Sequence, residues 1–146
     1  MSEFKPVLSA QEVQAFLGDV FPELDGCNGD YTIVSVSPGA CTVRLNATER
    51  HLRPGGTVSG PNLFSLADIG GYVCCLSHIG REALAVTTNL NINFMRKALP
   101  GPLDGHGRIL KLGKRLMVFD IDIVDADGLR IAHATGTYAI PPKPSS

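Results

Sequence analysis

The chain of 146 residues is short of charge, and the charge it has cancels: 13 Lys and Arg stand against 14 Asp and Glu, together 18% of the residues, for a formal net charge of -1. Such a balance supplies neither the basic footprint of a nucleic-acid-binding domain nor an acidic tail, so a charged ligand has to be met locally. No apolar run approaches the roughly 20 residues of a membrane-spanning helix. The opening Met1-Ser2-Glu3-Phe4-Lys5 lacks the basic start and apolar stretch of a signal peptide, which makes a soluble cytoplasmic protein the expectation. Cysteine is scarce: Cys27, Cys41 and the adjacent pair Cys74-Cys75, with no CxxC and no histidines at ligand spacing beside them. A zinc site is therefore not expected, and Cys74 and Cys75, inside an apolar stretch, read as small core residues.

Hydrophobic residues make up 44% of the chain, enough at this length for one core, so residues 1–146 read as a single domain. Residues 1–28 are expected to form an N-terminal helical extension and residues 141–146, rich in proline, an extended tail. Ser9 followed by Glu12 is a capping-box pattern, and Val13, Phe16, Leu17 and Val20 follow at helical spacing toward Pro22. Tyr31 to Val36 and Ala40 to Asn46 read as antiparallel strands around Ser37-Pro38-Gly39. The Gly- and Pro-rich stretch from Glu49 to Pro61 reads as irregular loop.

Pro61 suits the first turn of a helix, and Leu63, Leu66, Ala67, Gly70, Val73, Cys74 and Ser77 recur at helical spacing up to Ile79-Gly80. Phe64, Ile69, Tyr72, Cys75 and Leu76 make the remaining sides apolar, which predicts a helix buried all round. The period then becomes two: Leu90, Ile92 and Phe94 alternate with Asn89, Asn91 and Asn93, and strands follow at 107–112, 116–124 and 130–140. One flat antiparallel sheet beside such a helix would leave half of it wet. The predicted class is therefore α+β, an antiparallel sheet wrapped around a central long helix.

Between Thr57 and Ile79 the only charged side chain is Asp68. A buried carboxylate must find donors, reach water or serve a ligand; pairing with Arg53 or an outward position at the helix edge are the structural alternatives. The Gly-rich entry presents backbone N–H groups at the positive end of the helix dipole, where an oxyanion on an acyl group would be stabilised. Gly60 can donate there and Pro61 cannot. Asp68 is about two turns further on, so both could address one substrate only if a second chain contributes half of the site.

With these residues the sequence resembles the hotdog-fold acyl-CoA thioesterases, in the PaaI-like branch typified by the phenylacetate-pathway thioesterase. That branch enters its central helix through His-Gly-Gly and carries an Asp in a Leu-Ala-Asp-like motif. Here Ser59-Gly60-Pro61 occupies the first motif and Leu66-Ala67-Asp68 the second, with the strand from Thr87 to Met95 next and Gly113-Lys114-Arg115 and Gly136-Thr137-Tyr138 further on. The resemblance runs from about Gly29 to Ile140. It implies a homodimer, often doubled to a tetramer, hydrolysing an acyl- or aryl-CoA thioester at the subunit interface with no metal or redox cofactor. Gly60 N–H of one subunit would polarise the thioester carbonyl. Asp68 of the other would act as nucleophile or general base, and Thr87 would orient the attacking water. Ser59 and Pro61 remove an imidazole and one backbone donor relative to the motif, and Arg53 stands where relatives often carry Asn or Gln.

The remaining candidates follow from position. Ser59, Pro61, Asn62 and Ser65 would line the helix entry on the substrate side, and Arg53 could bind a substrate carboxylate or neutralise Asp68. His51 is either a replacement imidazole or a solvated loop residue. His78 fits a cap on the helix carbonyls, while His106 and His133 have no acidic or nucleophilic partner that spacing identifies. Arg96, Lys97, Lys114 and Arg115 are cations for coenzyme A phosphates or, alternatively, charged protection of a strand edge. Two other functions fit the same fold: a noncatalytic acyl-CoA-binding protein, suggested by the altered His-Gly-Gly motif, and an enoyl-CoA hydratase or dehydratase, for which only His51 could serve.

Overall fold

Ser9 opens the first helix, α1 (Ala10–Val20), through a complete capping box. Its Oγ accepts the Glu12 N–H and the Glu12 carboxylate accepts the Ser9 N–H, both at 3.1 Å, which satisfies two amides that the first turn leaves without partners. The computed structural model describes residues 3–22 and 29–142; Cys27 and the tail from Lys143 onward lie outside the described residues. β1 (Tyr31–Ser37) and β2 (Ala40–Ala47) form a hairpin whose turn needs Gly39 at φ 72°, a conformation that side chains with a Cβ resist.

The stretch read as irregular loop is more ordered than expected. One turn of 3-10 helix spans Glu49–His51, and β3 (Leu52–Arg53) pairs with β4 (Thr57–Val58) across a turn holding Gly55 and Gly56 at positive φ. Two-residue strands are too short for a periodic signal, so composition alone reported only the turn.

Helix α2 (Gly60–Ile79) follows directly, and 13 of its 20 residues are buried, from Leu63 to His78. It lies against an antiparallel six-stranded sheet of order β1-β2-β6-β7-β8-β5, where β5 is Val86–Phe94, β6 Gly101–Leu112, β7 Leu116–Val124 and β8 Arg130–Ala139. The sheet and helix enclose one core that includes Val43, Leu45, Leu103, Phe119, Ile121 and Ile123, the α+β arrangement that an all-round apolar helix demands. Gly70 and Gly71 let the helix approach β7 closely: a Cβ at Gly71 would fall 2.3 Å from Cζ of Phe119, and one at Gly70 2.2 Å from Cδ1 of Ile121. β6 starts six residues earlier than its local pattern indicates, because Gly101 to His106 are held by the ladder to β2, joined from Asp104 onward by the ladder to β7, and this pairing overrides weak strand propensity.

The outward face of the sheet carries paired charge. Arg44 bonds Asp104, and Arg108 bonds Asp120. His133, for which sequence offered no acidic partner, is opposite Asp122 in the β7–β8 ladder and places Nε2 3.3 Å from the diagonal neighbour Asp120, a juxtaposition only the register reveals. His106 Nδ1 meets Thr42 Oγ1 at 2.9 Å. Cys41, Cys74 and Cys75 are buried free thiols, and burial pushes Cys75 up to about 12, far from a reactive thiolate. Among the described residues no helix is long and apolar enough to cross a membrane, and no cluster of His, Cys, Asp or Glu could hold a metal ion.

Candidate active site

Asp68 sits on the side of α2 that faces the junction of β5 and β8, at the wall of a cavity of about 490 Å³. Among the described residues no Lys or Arg pairs with it, and the pairing with Arg53 does not occur: Arg53 lines a different cavity. Its partners are hydroxyls. Thr87 Oγ1 donates to Asp68 Oδ1 at 2.5 Å, and the Tyr138 hydroxyl donates to the same Oδ1 and to the Asp68 backbone carbonyl, each at 2.9 Å. Oδ2 has no hydrogen-bond partner among the described residues. A half-buried carboxylate is thus anchored by one oxygen and left with the other free.

Thr87 reaches that position through a β-bulge. β5 pairs with β8 as Leu90↔Gly136 and Asn89↔Thr137, but Thr87, not Thr88, is opposite Tyr138. The extra residue turns Thr87 to the helix-facing side that Leu90 and Ile92 occupy, as bulges beside functional sites commonly do. Tyr138 is itself fixed: its ring stacks on Tyr72 with centroids 5.9 Å apart and 16° between planes and meets Phe119 at 5.9 Å. Burial, and after it the Asp68 charge, push the Tyr138 phenol well above its ordinary range, so the hydroxyl stays a donor. Tyr138 is the site residue that the sequence did not single out as an Asp68 partner, being 70 positions away. The same cavity is walled by Phe21, Tyr31, Ile69 and Tyr72, with Ser65 at its edge; all three tyrosines of the chain line it.

Gly60 is the first residue of α2. Ser59 is the N-cap, its Oγ accepting the Asn62 N–H, and Pro61 occupies the first turn without loss of a bond. Asn62 Nδ2 donates to Ser59 Oγ at 2.7 Å and to the His51 carbonyl at 3.1 Å, which also accepts the Ser59 N–H. Ser59 and Asn62 therefore fasten the helix entry, and the Gly60 N–H, without an acceptor among the described residues, is presented at the positive helix end. It borders a cavity of about 660 Å³ lined also by Arg53, Pro61, Phe94, Arg96 and Lys97.

His51 is not a solvated loop residue. Its ring is buried, Nδ1 accepting the Thr48 N–H at 2.9 Å and Nε2 3.4 Å from Asp30, which also pairs with Arg50. The imidazole faces neither cavity, so it does not replace the missing histidine; its backbone carbonyl is what serves the helix entry. Burial works against the Asp30 carboxylate, but Arg50 and His51 outweigh it and hold the acid below its ordinary value. Lys114 and Arg115 are not with Arg96 and Lys97: they line a third cavity of about 590 Å³ beside His78, Ile79 and Ile140, at the C-terminal end of α2. His78 is at that end but does not cap it: its Nδ1 lies 2.9 Å from the Cys74 carbonyl, four residues back within the helix, while the terminal Leu76 and Ser77 carbonyls accept the Gly80 and Val7 N–H groups.

Within one chain, then, Asp68 and Gly60 line separate cavities. The thioesterase superfamily family model matches residues 55–132, a span that contains both. A crystal structure of a candidate thioesterase from Silicibacter sp. TM1040 is 47% identical, with 95% of this chain and 96% of that one covered and a TM-score of 0.86. The Escherichia coli PaaI protein of the phenylacetic acid degradation operon is 26% identical over 91% of this chain and 96% of that one, with a TM-score of 0.75. A candidate esterase of Saccharolobus solfataricus is 29% identical over 96% of this chain and 85% of that protein. The chain belongs to the thioesterase superfamily, as a thioester hydrolase with the hotdog fold in its PaaI-like branch.

Proposed function

We propose that the protein hydrolyses acyl- or aryl-CoA thioesters at sites shared between two copies of the chain, with Asp68 of one copy and the Gly60 N–H of the other converging on one thioester. The observation that carries this reading is the separation of Asp68 and Gly60 along an edge strand with one side free. β5 is an edge of the sheet; its start holds Thr87 beside Asp68, and its end holds Phe94, whose ring lies 3.4 Å from where a Gly60 Cβ would be. A two-fold antiparallel pairing of β5 with its copy, centred near Leu90, carries the Phe94 and Gly60 end of one subunit onto the Thr87 and Asp68 end of the other. Leu84, Val86, Phe94, Met95 and Leu99, on and beside β5, are large apolar side chains exposed in the single chain, as an edge awaiting a partner would be.

In such a site the Gly60 N–H and the helix dipole stabilise the oxyanion as the carbonyl is attacked. Oδ2 of Asp68 either takes a proton from the attacking water and passes it to the departing thiolate as the C–S bond breaks, or attacks the carbonyl carbon itself, expelling the thiolate and forming a mixed anhydride that water then hydrolyses, releasing the acid, freeing Asp68 and supplying the proton for the thiolate. The acyl group rests against Tyr31, Ile69 and Tyr72. The phosphates of coenzyme A meet Arg53, Arg96 and Lys97 around Gly60, and the same two-fold brings that end toward Lys114 and Arg115 of the other subunit. No metal or redox cofactor enters the scheme. The test is hydrolysis of a panel of aryl-, short-chain and long-chain acyl-CoAs by the parent and by Asp68→Asn. Turnover by the parent that vanishes in the folded variant is expected; unchanged hydrolysis in Asp68→Asn overturns the reading.

A further inference from the structure

Building on the site proposed above, we propose that Tyr138 is a positioning residue of the reaction: with Thr87 it pins Oδ1 of Asp68 and thereby makes Oδ2 the oxygen that meets the water or the thioester. A carboxylate on a two-torsion side chain can present either oxygen and swings about its terminal bond. Two donors converging on one oxygen from a neighbouring pair of strands remove that freedom. The Thr87 hydroxyl arrives from the bulge of β5 and the Tyr138 hydroxyl from β8, and the two residues are direct cross-strand partners.

Tyr138 contributes the rigid half of this clamp. Thr87 needs only one rotation to release its proton, whereas the Tyr138 ring is held between Tyr72 and Phe119, and Tyr72 is tied by its own hydroxyl to the Ala83 carbonyl at 2.8 Å. The second acceptor of the Tyr138 hydroxyl, the Asp68 backbone carbonyl, registers the phenol against the helix as well as the carboxylate. With side chain and backbone of Asp68 both referenced to β8, the free oxygen is set against the sheet that carries Thr87, and small displacements of a reacting group are costly in rate. One consequence concerns Thr87: its proton is committed to Asp68, so it offers a water only its lone pairs.

The test is Tyr138→Phe, which keeps the ring and deletes one oxygen. The expected result is a fall in kcat of about 10- to 100-fold with KM within about twofold of the parent and the melting temperature little changed. Combining Tyr138→Phe with Thr87→Val should cost less than the product of the single effects, because both act on one oxygen. A kcat within about twofold of the parent, a loss confined to KM, or full multiplicativity overturns the proposal. A second readout does not need turnover: the ¹³C carboxyl resonance of Asp68, assigned by its disappearance in Asp68→Asn, should move in Tyr138→Phe, and an unmoved resonance overturns the clamp. If the parent hydrolyses no thioester, the functional reading fails while this resonance still decides the clamp. Should Tyr138→Phe not fold, replacement of tyrosine by 3-fluorotyrosine keeps ring and hydroxyl and strengthens the donor; the Asp68 resonance must then shift, and its constancy overturns the proposal.

Discussion

Thr87 stands across from Tyr138 in the β5–β8 ladder because β5 carries one extra residue, Thr88, before the register resumes at Asn89↔Thr137. The pairing puts both hydroxyls on one oxygen of Asp68. Thr87→Ser retains the hydroxyl in the same strand position and should keep most of the turnover. Thr87→Val keeps the β-branched shape and loses the donor, and its kcat should drop about 10-fold or more, as loss of a hydrogen bond to a charged group does. Steady-state kinetics of the two variants side by side checks this, and equal rates for Ser and Val would remove Thr87 from the mechanism.

Gly70 and Gly71 make different predictions although both face β7. A methyl at Gly71 meets three ring atoms of Phe119 between 2.3 and 2.7 Å, whereas at Gly70 the one severe contact is the mobile end of Ile121 at 2.2 Å. Phe119 is fully buried and cannot swing away. Gly71→Ala should therefore lose about 1–3 kcal/mol of stability. Gly70→Ala should lose less, since Ile121 can change rotamer and alanine recovers up to about 1 kcal/mol of helix propensity. Urea unfolding of both variants measures the order, and a Gly71→Ala as stable as the parent would contradict it.

His78 supplies a pH dependence with a definite sign. Burial holds its imidazole below the ordinary 6.5, the bond to the Cys74 carbonyl opposing this only in part. Nδ1 donates to that carbonyl and Nε2 accepts the Gly39 N–H at 2.9 Å, so protonation at Nε2 breaks the tie between α2 and the β1–β2 turn. The folded state resists the proton that the unfolded chain binds. The stability contributed is present in full above about pH 6.5 and is lost as the pH falls from there toward the depressed folded value. Denaturation midpoints measured from pH 8 to pH 5.5 should decline, and His78→Gln should decline less over the same interval. Parallel curves for the two proteins would rule out His78 as the source.

What could be read from the sequence was what a short window contains. A helix apolar on every side announced its own burial and the wrapped sheet, and a lone carboxylate within it marked Asp68. Pro61 after Gly60 already implied one free amide at the helix entry. Thr87 came only through family resemblance, since alternation from Leu90 and Ile92 points Thr88, not Thr87, toward the helix; a bulge has no signature in a nine-residue strand. Tyr138 and the Asp30 partner of His51 were invisible for the same physical reason: each lies many residues away and is brought in by strand pairing or packing. The two-residue strands β3 and β4 are below any periodic signal, yet they aim the chain into Gly60.

The proposed sharing of the site between subunits makes a prediction that a site within one chain cannot mimic. Asp68→Asn leaves the Gly60 N–H intact. Gly60→Pro removes that N–H and leaves Asp68 intact, and the first-turn position tolerates proline because its amide has no helical partner. Each variant alone should be inactive. Mixed and allowed to exchange, half of the dimers are hybrids, and each hybrid contains one site with Gly60 from the first variant and Asp68 from the second. Activity should therefore return to about one quarter of the parent value at equal mixing, and it should rise over the time that subunits take to exchange. If both groups acted within a single chain, no mixture of the two variants would recover any turnover, because no site would contain both. The same experiment repeated with Asp68→Asn and Tyr138→Phe, whose defects fall in the same half-site, should show no recovery beyond the residual rate of Tyr138→Phe, and that contrast fixes which residues belong to which half.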